Sequence, residues 1–259
     1  MRIETKMVAG VIVACTQMIT PGQLSAGEKP TEIRACQSVS PANYIVLGYG
    51  IVHNLPAGRV LKERWNADGS IEGMRINRDG DKLLEADYRG SWKQLLNCEV
   101  EVRRINGTRA SETRDIIDLK GHASRALSFT PGTTLGKQYW LNKIDQCTNK
   151  TLQGQWIGEF SGKVLKGNKW QPYEAVGKLI IEGTRLQGSL ISSKAGKLET
   201  TEIEGIARLE SSCFGKLQWR DQEGRSRSER LLISGDGQRV ILLRTDPSLF
   251  SIGLIEKEK

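Results

Sequence analysis

The 259-residue sequence is poor in the residues that carry most enzyme chemistry. It has two histidines, His53 and His122, and no Gly-x-Ser-x-Gly motif, so a serine triad has little to be built from. It has no Cys-x-x-Cys pair, which argues against a zinc site. The sequence therefore assigns no catalytic residue, no metal ligand and no cofactor, and an enzyme is the less favoured class.

Long apolar runs and concentrated charge are also missing. No stretch reaches the ~20 apolar residues that a membrane helix needs, so no transmembrane span is expected. The formal net charge is +8, but basic and acidic residues are mixed along both halves. A nucleic-acid-binding protein usually collects its Lys and Arg on one face, so no nucleic-acid partner is expected.

The sequence does contain an internal repeat, in which residues of the first half recur in the second half at one fixed offset. Two glycines and a cysteine keep the same spacing in both copies, and the offset holds without a gap to a late threonine. The matched pairs are Gly73 and Gly188, Gly90 and Gly205, Cys98 and Cys213, Leu127 and Leu242, and Thr130 and Thr245. We interpret this as a duplication of one fold unit.

Each copy consists of short apolar or alternating runs divided by turn residues, and no helical period of useful length is present. Asn106-Gly107 is the strongest hairpin signal. Eight strands are predicted between residues 44 and 141, and eight between residues 152 and 256. The predicted fold is all-β, with two tandem eight-stranded antiparallel barrels, because closure removes exposed edges. An immunoglobulin-like sandwich is the alternative, but regular hairpins favour up-and-down order.

The N-terminus resembles a secretory leader, with a charged start followed by a short apolar segment at residues 7–14. Cleavage after Ala26 is one interpretation. The alternative is a lipobox, Ile-Val-Ala-Cys, that would make Cys15 a lipidation site, and a buried N-terminal helix or strand is also open. We expect a periplasmic or secreted protein, and a lipid anchor in the second case. The predicted domains are a signal peptide at 1–26, a linker at 27–35, a barrel at 36–141, a linker at 142–146 and a barrel at 147–259.

Four cysteines remain after the leader is removed, and an even number suits disulfides in an oxidising compartment. Cys36 and Cys98 are separated by nearly the same number of residues as Cys147 and Cys213. The repeat therefore predicts one bridge in each barrel, Cys36–Cys98 and Cys147–Cys213. Four buried thiols in a cytosolic protein are the alternative.

The second unit opens with a Gly-Gln-Trp sequence that ends at Trp156, which resembles the Gly-x-Trp opening of lipocalins, avidins and related calycin barrels. This resemblance implies a barrel whose interior holds a small apolar ligand, with Trp156 as the plug at one end. The first unit has Asn-Tyr-Ile around Tyr44 where the motif should lie. The repeated glycines and cysteine also resemble small secreted bacterial barrels of unassigned function.

Arginines flank the same hairpin in both units, and Arg225, Arg227 and Arg230 are the candidate anion-binding residues of the second. Interspersed carboxylates favour a solvated hairpin instead. We expect an exported, non-catalytic binding or scaffold protein of the cell envelope, whose partner is a small apolar ligand or an anionic envelope polymer. The alternatives are an envelope isomerase or hydrolase and an inhibitor of a secreted enzyme. An interior cluster of His, carboxylate or Tyr would indicate the enzyme, and the sequence shows none.

Overall fold

A computed structural model describes residues 37–96, 98–107, 109–130, 133–141 and 147–259, with the backbone alone at 106, 109 and 133–141. The all-β class is confirmed, because this part of the chain forms sixteen strands and one helix of four residues, α1 (Asn149–Leu152). The predicted leader, both predicted linkers and Cys36 lie outside the described residues. The described part of the chain contains no helix that is long and apolar enough to cross a membrane.

The first sheet has eight antiparallel strands in sequence order. They are β1 (Ala42–Val52), β2 (Leu55–Trp65), β3 (Ser70–Asp79), β4 (Lys82–Gln94), β5 (Glu99–Asn106), β6 (Arg109–Ile117), β7 (Ala123–Ser128) and β8 (Thr133–Leu141). Strand β8 pairs with β7 on one side and with β1 on the other, which closes the sheet. The β7–β8 seam is short, since only Arg125, Ala126 and Leu127 of β7 take part.

The second sheet follows the same order. Its strands are β9 (Gly154–Lys166), β10 (Lys169–Glu182), β11 (Arg185–Lys194), β12 (Lys197–Leu209), β13 (Phe214–Arg220), β14 (Ser226–Ile233), β15 (Arg239–Arg244) and β16 (Leu249–Lys257). Strand β16 pairs with β9 and closes the barrel.

Alternation along each strand decides which side chains enter the barrels. In β10, Tyr173, Ala175 and Ile181 are buried and their outward neighbours are exposed or half-buried. Between strands, the hairpin predicted at Asn106-Gly107 is present: Asn106 pairs with Arg109, and Gly107 has the positive φ of 56° that this tight turn requires.

Equivalent positions of the repeat meet in space as the sequence predicts. A Cβ on Gly90 would lie 2.4 Å from the carbonyl oxygen of Arg103, and a Cβ on Gly205 would lie 2.1 Å from that of Gln218. Arg103 and Gln218 are themselves related by the repeat offset. Both glycines are therefore kept by the same close approach of the next strand.

The prediction that the repeat needs no gap is wrong beyond the hairpin after β5. The backbone N–H of Glu112 donates to the hydroxyl of Thr130, and the backbone N–H of Ser228 donates to a carboxylate oxygen of Asp246. The counterpart of Thr130 is thus Asp246 rather than Thr245.

The cause is one extra residue between the paired strands β13 and β14, compared with β5 and β6. Leu127 and Leu242 are displaced by the same insertion. Leu127 is 68% exposed, whereas Leu242 is buried in the core, so the two are not equivalent.

The two barrels share a core and lie in one compact unit. Ile45, Leu47, Val60 and Ile76 of the first barrel belong to the same buried cluster as the interior of the second. At Gly58 the barrels meet so closely that a Cβ would lie about 3 Å or less from side-chain atoms of the other barrel. Tyr44, Trp65 and other interior residues of the first barrel form a separate cluster.

The predicted bridge between Cys147 and Cys213 is confirmed, and their Cα atoms lie 4.9 Å apart. It ties the segment before α1 to the start of β13. The predicted Cys36–Cys98 bridge stays a prediction, because Cys36 is outside the described residues.

Candidate functional site

One end of the second barrel contains a cavity of about 280 Å³, which we call the second-barrel cavity. Val164 and Leu165 at the end of β9 and Tyr173 near the start of β10 lie in its wall. Trp156 lies at the other end of β9, and eight residues of extended strand separate it from Val164, or roughly 26 Å. The cavity is therefore at the end of the barrel that Trp156 does not occupy.

The polar lining of this cavity is rich in charge. Its basic side chains are Lys194, Arg225, Arg227 and Arg244, and its carboxylates are Glu199, Asp221 and Glu223. Each basic group is paired with a carboxylate, and Arg244 is paired with two that lie outside this lining, Glu229 and Asp246.

Asp221 holds two of these arginines at the rim. Its Oδ2 accepts hydrogen bonds from Arg225 Nε at 2.7 Å and Arg227 Nη2 at 3.0 Å. Its Oδ1 accepts the backbone N–H groups of Glu223 and Arg225. Burial disfavours the charged form of Asp221, but the hydrogen bonds from these arginines outweigh it and lower its pKa to about 2. Residues 221–225 therefore form an anchored loop rather than a solvated hairpin.

Arg244 lies deeper in the cavity wall, with its side chain only 4% exposed. Its Nη1 donates to Glu229 Oε1 at 2.7 Å, its Nε donates to Asp246, and its guanidinium lies 4.7 Å from the ring centre of Trp219. Burial alone would lower the pKa of Arg244, but the charges of Glu229 and Asp246 raise it. No hydrogen bond from Nη2 to the described residues is present, so one charged N–H₂ group remains available to a guest.

The remaining wall is apolar or aromatic. Leu190 and Leu249 are buried there, beside Trp219 and Tyr173. Burial raises the pKa of Tyr173 to about 12, so its hydroxyl is neutral over the physiological range. A charged patch next to an apolar wall suits a small ligand with one anionic and one apolar part.

Lys194 and Glu199 form an ion pair of 2.6 Å at the rim. The hydrogen bond from Lys194 lowers the pKa of Glu199, with burial opposing it. This carboxylate is therefore ionised and engaged at neutral pH.

The structure brings Arg225 and Arg227 together and separates Arg230 from them. Arg230 pairs with Glu85 of the first barrel, with Nε to Oε1 at 2.8 Å and Nη2 to Oε2 at 2.9 Å, and its Nη1 lies 3.3 Å from Glu210. Arg227 and Arg230 occupy odd and even positions of β14, so they point to opposite faces of the strand.

Trp156 is fully buried at the closed end of the second barrel. Its Nε1 donates to the carbonyl oxygen of Leu152 at 2.9 Å, and the Lys257 ammonium lies 5.3 Å from its ring centre. In the first barrel, Tyr44 and Trp65 pack against each other with ring centres 4.8 Å apart.

The expectation that neither barrel contains an interior cluster of carboxylate and Tyr is wrong. Glu63 is fully buried in the first barrel and accepts hydrogen bonds from Trp65, Tyr88 and Arg104. Burial opposes ionisation of Glu63, but Arg104 and the other donors lower its pKa. In the sequence, Glu63 lies two residues after Leu61 and two before Trp65. Strand alternation places all three on the inward face, and this pattern could have identified Glu63 as buried.

Neither Glu63 nor the carboxylates of the second-barrel cavity belong to a metal centre. Within the described ranges, no group of three or more His, Cys, Asp or Glu side chains is placed to hold a metal ion.

No known family model matches the sequence, and no curated protein matches it. Among solved structures, three matches are weak. A protein of unknown function from the DUF3598 family of Nostoc punctiforme is 11% identical, with 85% of this chain and 96% of that chain covered and a TM-score of 0.25. A porin-like protein from Bacteroides uniformis is 9% identical, with 86% and 97% covered and a TM-score of 0.22. A candidate AttH protein from Nitrosomonas europaea is 10% identical, with 91% and 98% covered and a TM-score of 0.27. Similarities this weak carry no argument about function.

Proposed function

We propose that this chain is a non-catalytic binding protein that holds a small ligand, with one anionic group and one apolar part, in the second-barrel cavity. The observation that carries the proposal is Arg244, a buried guanidinium in the cavity wall that Glu229 and Asp246 fix and whose Nη2 has no hydrogen-bond partner among the described residues. A carboxylate or similar anion would complete its hydrogen bonds. Trp156 would seal the other end of the barrel, in the manner of calycins.

The sequence predicts an apolar ligand, whereas we propose an amphipathic one, because Leu190 and Leu249 line the same cavity as the arginines. An anionic polymer on the outer surface is less well supported. The side chains of Arg227 and Arg230 are only 18% and 11% exposed. Of the three arginines, Arg225 alone has a side chain that is about half exposed to solvent.

Catalysis is the less supported alternative because Asp221 and Tyr173 of this cavity titrate far from neutral pH, and Glu63 of the first barrel is engaged by the hydrogen bonds of Trp65, Tyr88 and Arg104. The pKa of Asp221 is about 2 and that of Tyr173 is about 12. A general acid or base works best with a pKa near the operating pH. The envelope isomerase or hydrolase and the enzyme inhibitor therefore stay secondary hypotheses.

Calorimetric titration with octanoate, octanol and octylammonium tests the binding function. We expect saturable octanoate binding that is at least about 10-fold tighter than octanol binding, since each charge-assisted hydrogen bond contributes about 1.5–3 kcal/mol. Arg227→Gln should weaken octanoate binding by a similar factor, while Arg185→Gln, at an exposed hairpin, should not. Equal affinity for octanoate and octanol, or no saturable binding of either, would refute the proposal.

We also propose that the protein is exported to the periplasm or beyond, from the leader pattern and the confirmed bridge. Intact mass of the natively expressed protein, with alkylation before and after reduction, tests this. A mass without the leader and four cysteines blocked until reduction supports export, and a lipid-modified Cys15 would identify anchoring. A full-length mass with all thiols free would overturn export.

A further inference from the structure

On the inward face of the first barrel, four buried polar atoms have no hydrogen-bond partner among the residues that the structure describes. They are Arg59 Nε, Arg75 Nε, Asn77 Oδ1 and Asp79 Oδ1. Buried polar groups in folded proteins are nearly always paired, so a cluster of four exceptions indicates that something else satisfies them.

These groups lie side by side on β2 and β3. Arg59 is directly opposite Asn77 in the ladder, and the neighbouring pairs place Arg75 opposite Leu61 and Asp79 opposite Ala57. Directly opposed residues share one face of a sheet. Leu61 belongs to the interior core of this barrel, so all four groups face inward.

Small residues lie opposite two of these groups. Gly48 on β1 lies opposite Arg59, and Ala86 on β4 lies opposite Arg75. Leu84, opposite Asn77, is 48% exposed, which places the solvent-facing end of the barrel beside Asn77. We call the four groups of Arg59, Arg75, Asn77 and Asp79 the first-barrel chamber.

The chamber occupies the position in the first barrel that the second-barrel cavity occupies in the second. The offset that relates Gly73 to Gly188 carries three chamber residues onto residues that line that cavity. The pairs are Arg75 and Leu190, Asn77 and Ser192, and Asp79 and Lys194. The chamber residues therefore lie at the end of the first barrel that corresponds to the cavity end of the second, and they are more polar than their counterparts.

We propose that the first-barrel chamber is a second binding site, which takes a small hydroxylated molecule with an oxyanion, either a carboxylate or a phosphate. The two arginines would bind the oxyanion, and the carbonyl of Asn77 and the carboxylate of Asp79 would accept from hydroxyl groups. The charges support this assignment. Burial and the nearby charge of Arg59 lower the pKa of Arg75, and the charge of Asp79 only partly offsets them, so a bound anion would stabilise both guanidinium groups.

Equilibrium dialysis with two probes, inorganic phosphate and gluconate, tests the chamber and distinguishes the two oxyanions. The background is the Arg227→Gln variant, in which the second-barrel cavity is impaired. We expect saturable binding of at least one probe. Arg75→Gln should weaken it by about 10-fold or more, and Asp79→Asn should strengthen it several-fold, because that change removes a repelling carboxylate.

Arg64→Gln on the outer face of β2 and Asp81→Asn in the exposed turn after β3 carry the matched charge changes and should leave binding unchanged. If Arg75→Gln fails to fold, as judged by its thermal transition, the Asp79→Asn result decides. No saturable binding of either probe, or binding indifferent to both chamber variants, would overturn the site and show that water alone fills it. Octanoate binding to the wild-type chain is unaffected by that outcome, so the two proposals fail independently.

Discussion

Arg78 of the first barrel donates a hydrogen bond to the backbone carbonyl oxygen of Arg244 in the second. The same guanidinium donates to the carbonyl oxygens of Asp246 and, at 2.7 Å, Leu249, and its Nε donates to Gly80 at 2.8 Å. Arg244 and Leu249 line the second-barrel cavity. The first barrel therefore fixes the backbone from which that cavity is built.

Arg78→Met should destabilise the protein by about 2–4 kcal/mol, because four carbonyl groups lose their donor and only part of the packing is kept. Burial lowers the pKa of Arg78 to about 10, which still leaves it charged at neutral pH. Urea unfolding measures the loss. The variant should also bind octanoate more weakly, whereas Arg89→Met, exposed on β4, should change neither property. Unchanged stability of Arg78→Met would show that the hydrogen bonds of Arg78 to the second barrel do not stabilise the fold.

Arg230→Gln should reduce stability by about 1–3 kcal/mol and leave octanoate binding intact, since its bidentate partner Glu85 loses a charged donor. Arg225→Gln should show the opposite pattern, with weaker binding and little loss of stability. A double-mutant cycle with Glu85→Gln measures the coupling by denaturant midpoint. Additive effects of Arg230→Gln and Glu85→Gln would mean that this ion pair does not hold the barrels together.

Gly205→Ala should cost more than about 2 kcal/mol or prevent folding, because the new Cβ would lie 2.1 Å from a backbone oxygen that cannot move without breaking the β12–β13 ladder. Gly167→Ala, in an open turn with φ of 56°, should cost about 1 kcal/mol from strain alone. Thermal unfolding compares the two. A Gly205→Ala protein as stable as Gly167→Ala would contradict the close packing of these strands.

Asp221→Asn should lower the melting temperature at about pH 5 and have progressively less effect towards pH 2. The folded pKa of Asp221 is depressed from 3.8 to about 2, so its stabilisation is complete above the ordinary value and disappears as the pH falls through the folded value. Melting curves from about pH 2 to pH 5 measure the difference. Asp81→Asn, in an exposed turn, should give a flat difference. A constant effect of Asp221→Asn across this range would show that its charge does not anchor the rim loop.

The sequence was sufficient for the strands and for the repeat, because alternation and turn residues act locally. It was sufficient for one disulfide, since the similar separations of Cys36 from Cys98 and of Cys147 from Cys213 predicted the Cys147–Cys213 bridge. It could not place Arg78, which precedes an Asp-Gly-Asp turn that is typical of solvated positions yet is only 1% exposed. Three of the four carbonyl groups that bind Arg78 belong to the other barrel, and no local pattern records which outer face of a barrel will be covered.

The candidate site was predicted only in part. Of the three arginines that the sequence named, Arg225 and Arg227 line one cavity, whereas strand alternation in β14 would already have separated Arg230. The sequence did not identify Arg244. It is the last residue of β15, after a run of apolar residues, and a charged residue at the end of a strand is usually expected to face solvent. What makes it a site residue is the pair of carboxylates that meets it from β14 and from Asp246, which is a property of the closed barrel.

The core that joins the barrels has a consequence for fragments of the chain. Because outward residues of β1 to β3 complete the apolar cluster of the second barrel, a polypeptide ending after β8 and one starting before α1 would each expose the face that the other covers. Supplied as two separate polypeptides, the halves should reassemble into one particle by the same contacts, as a split protein does.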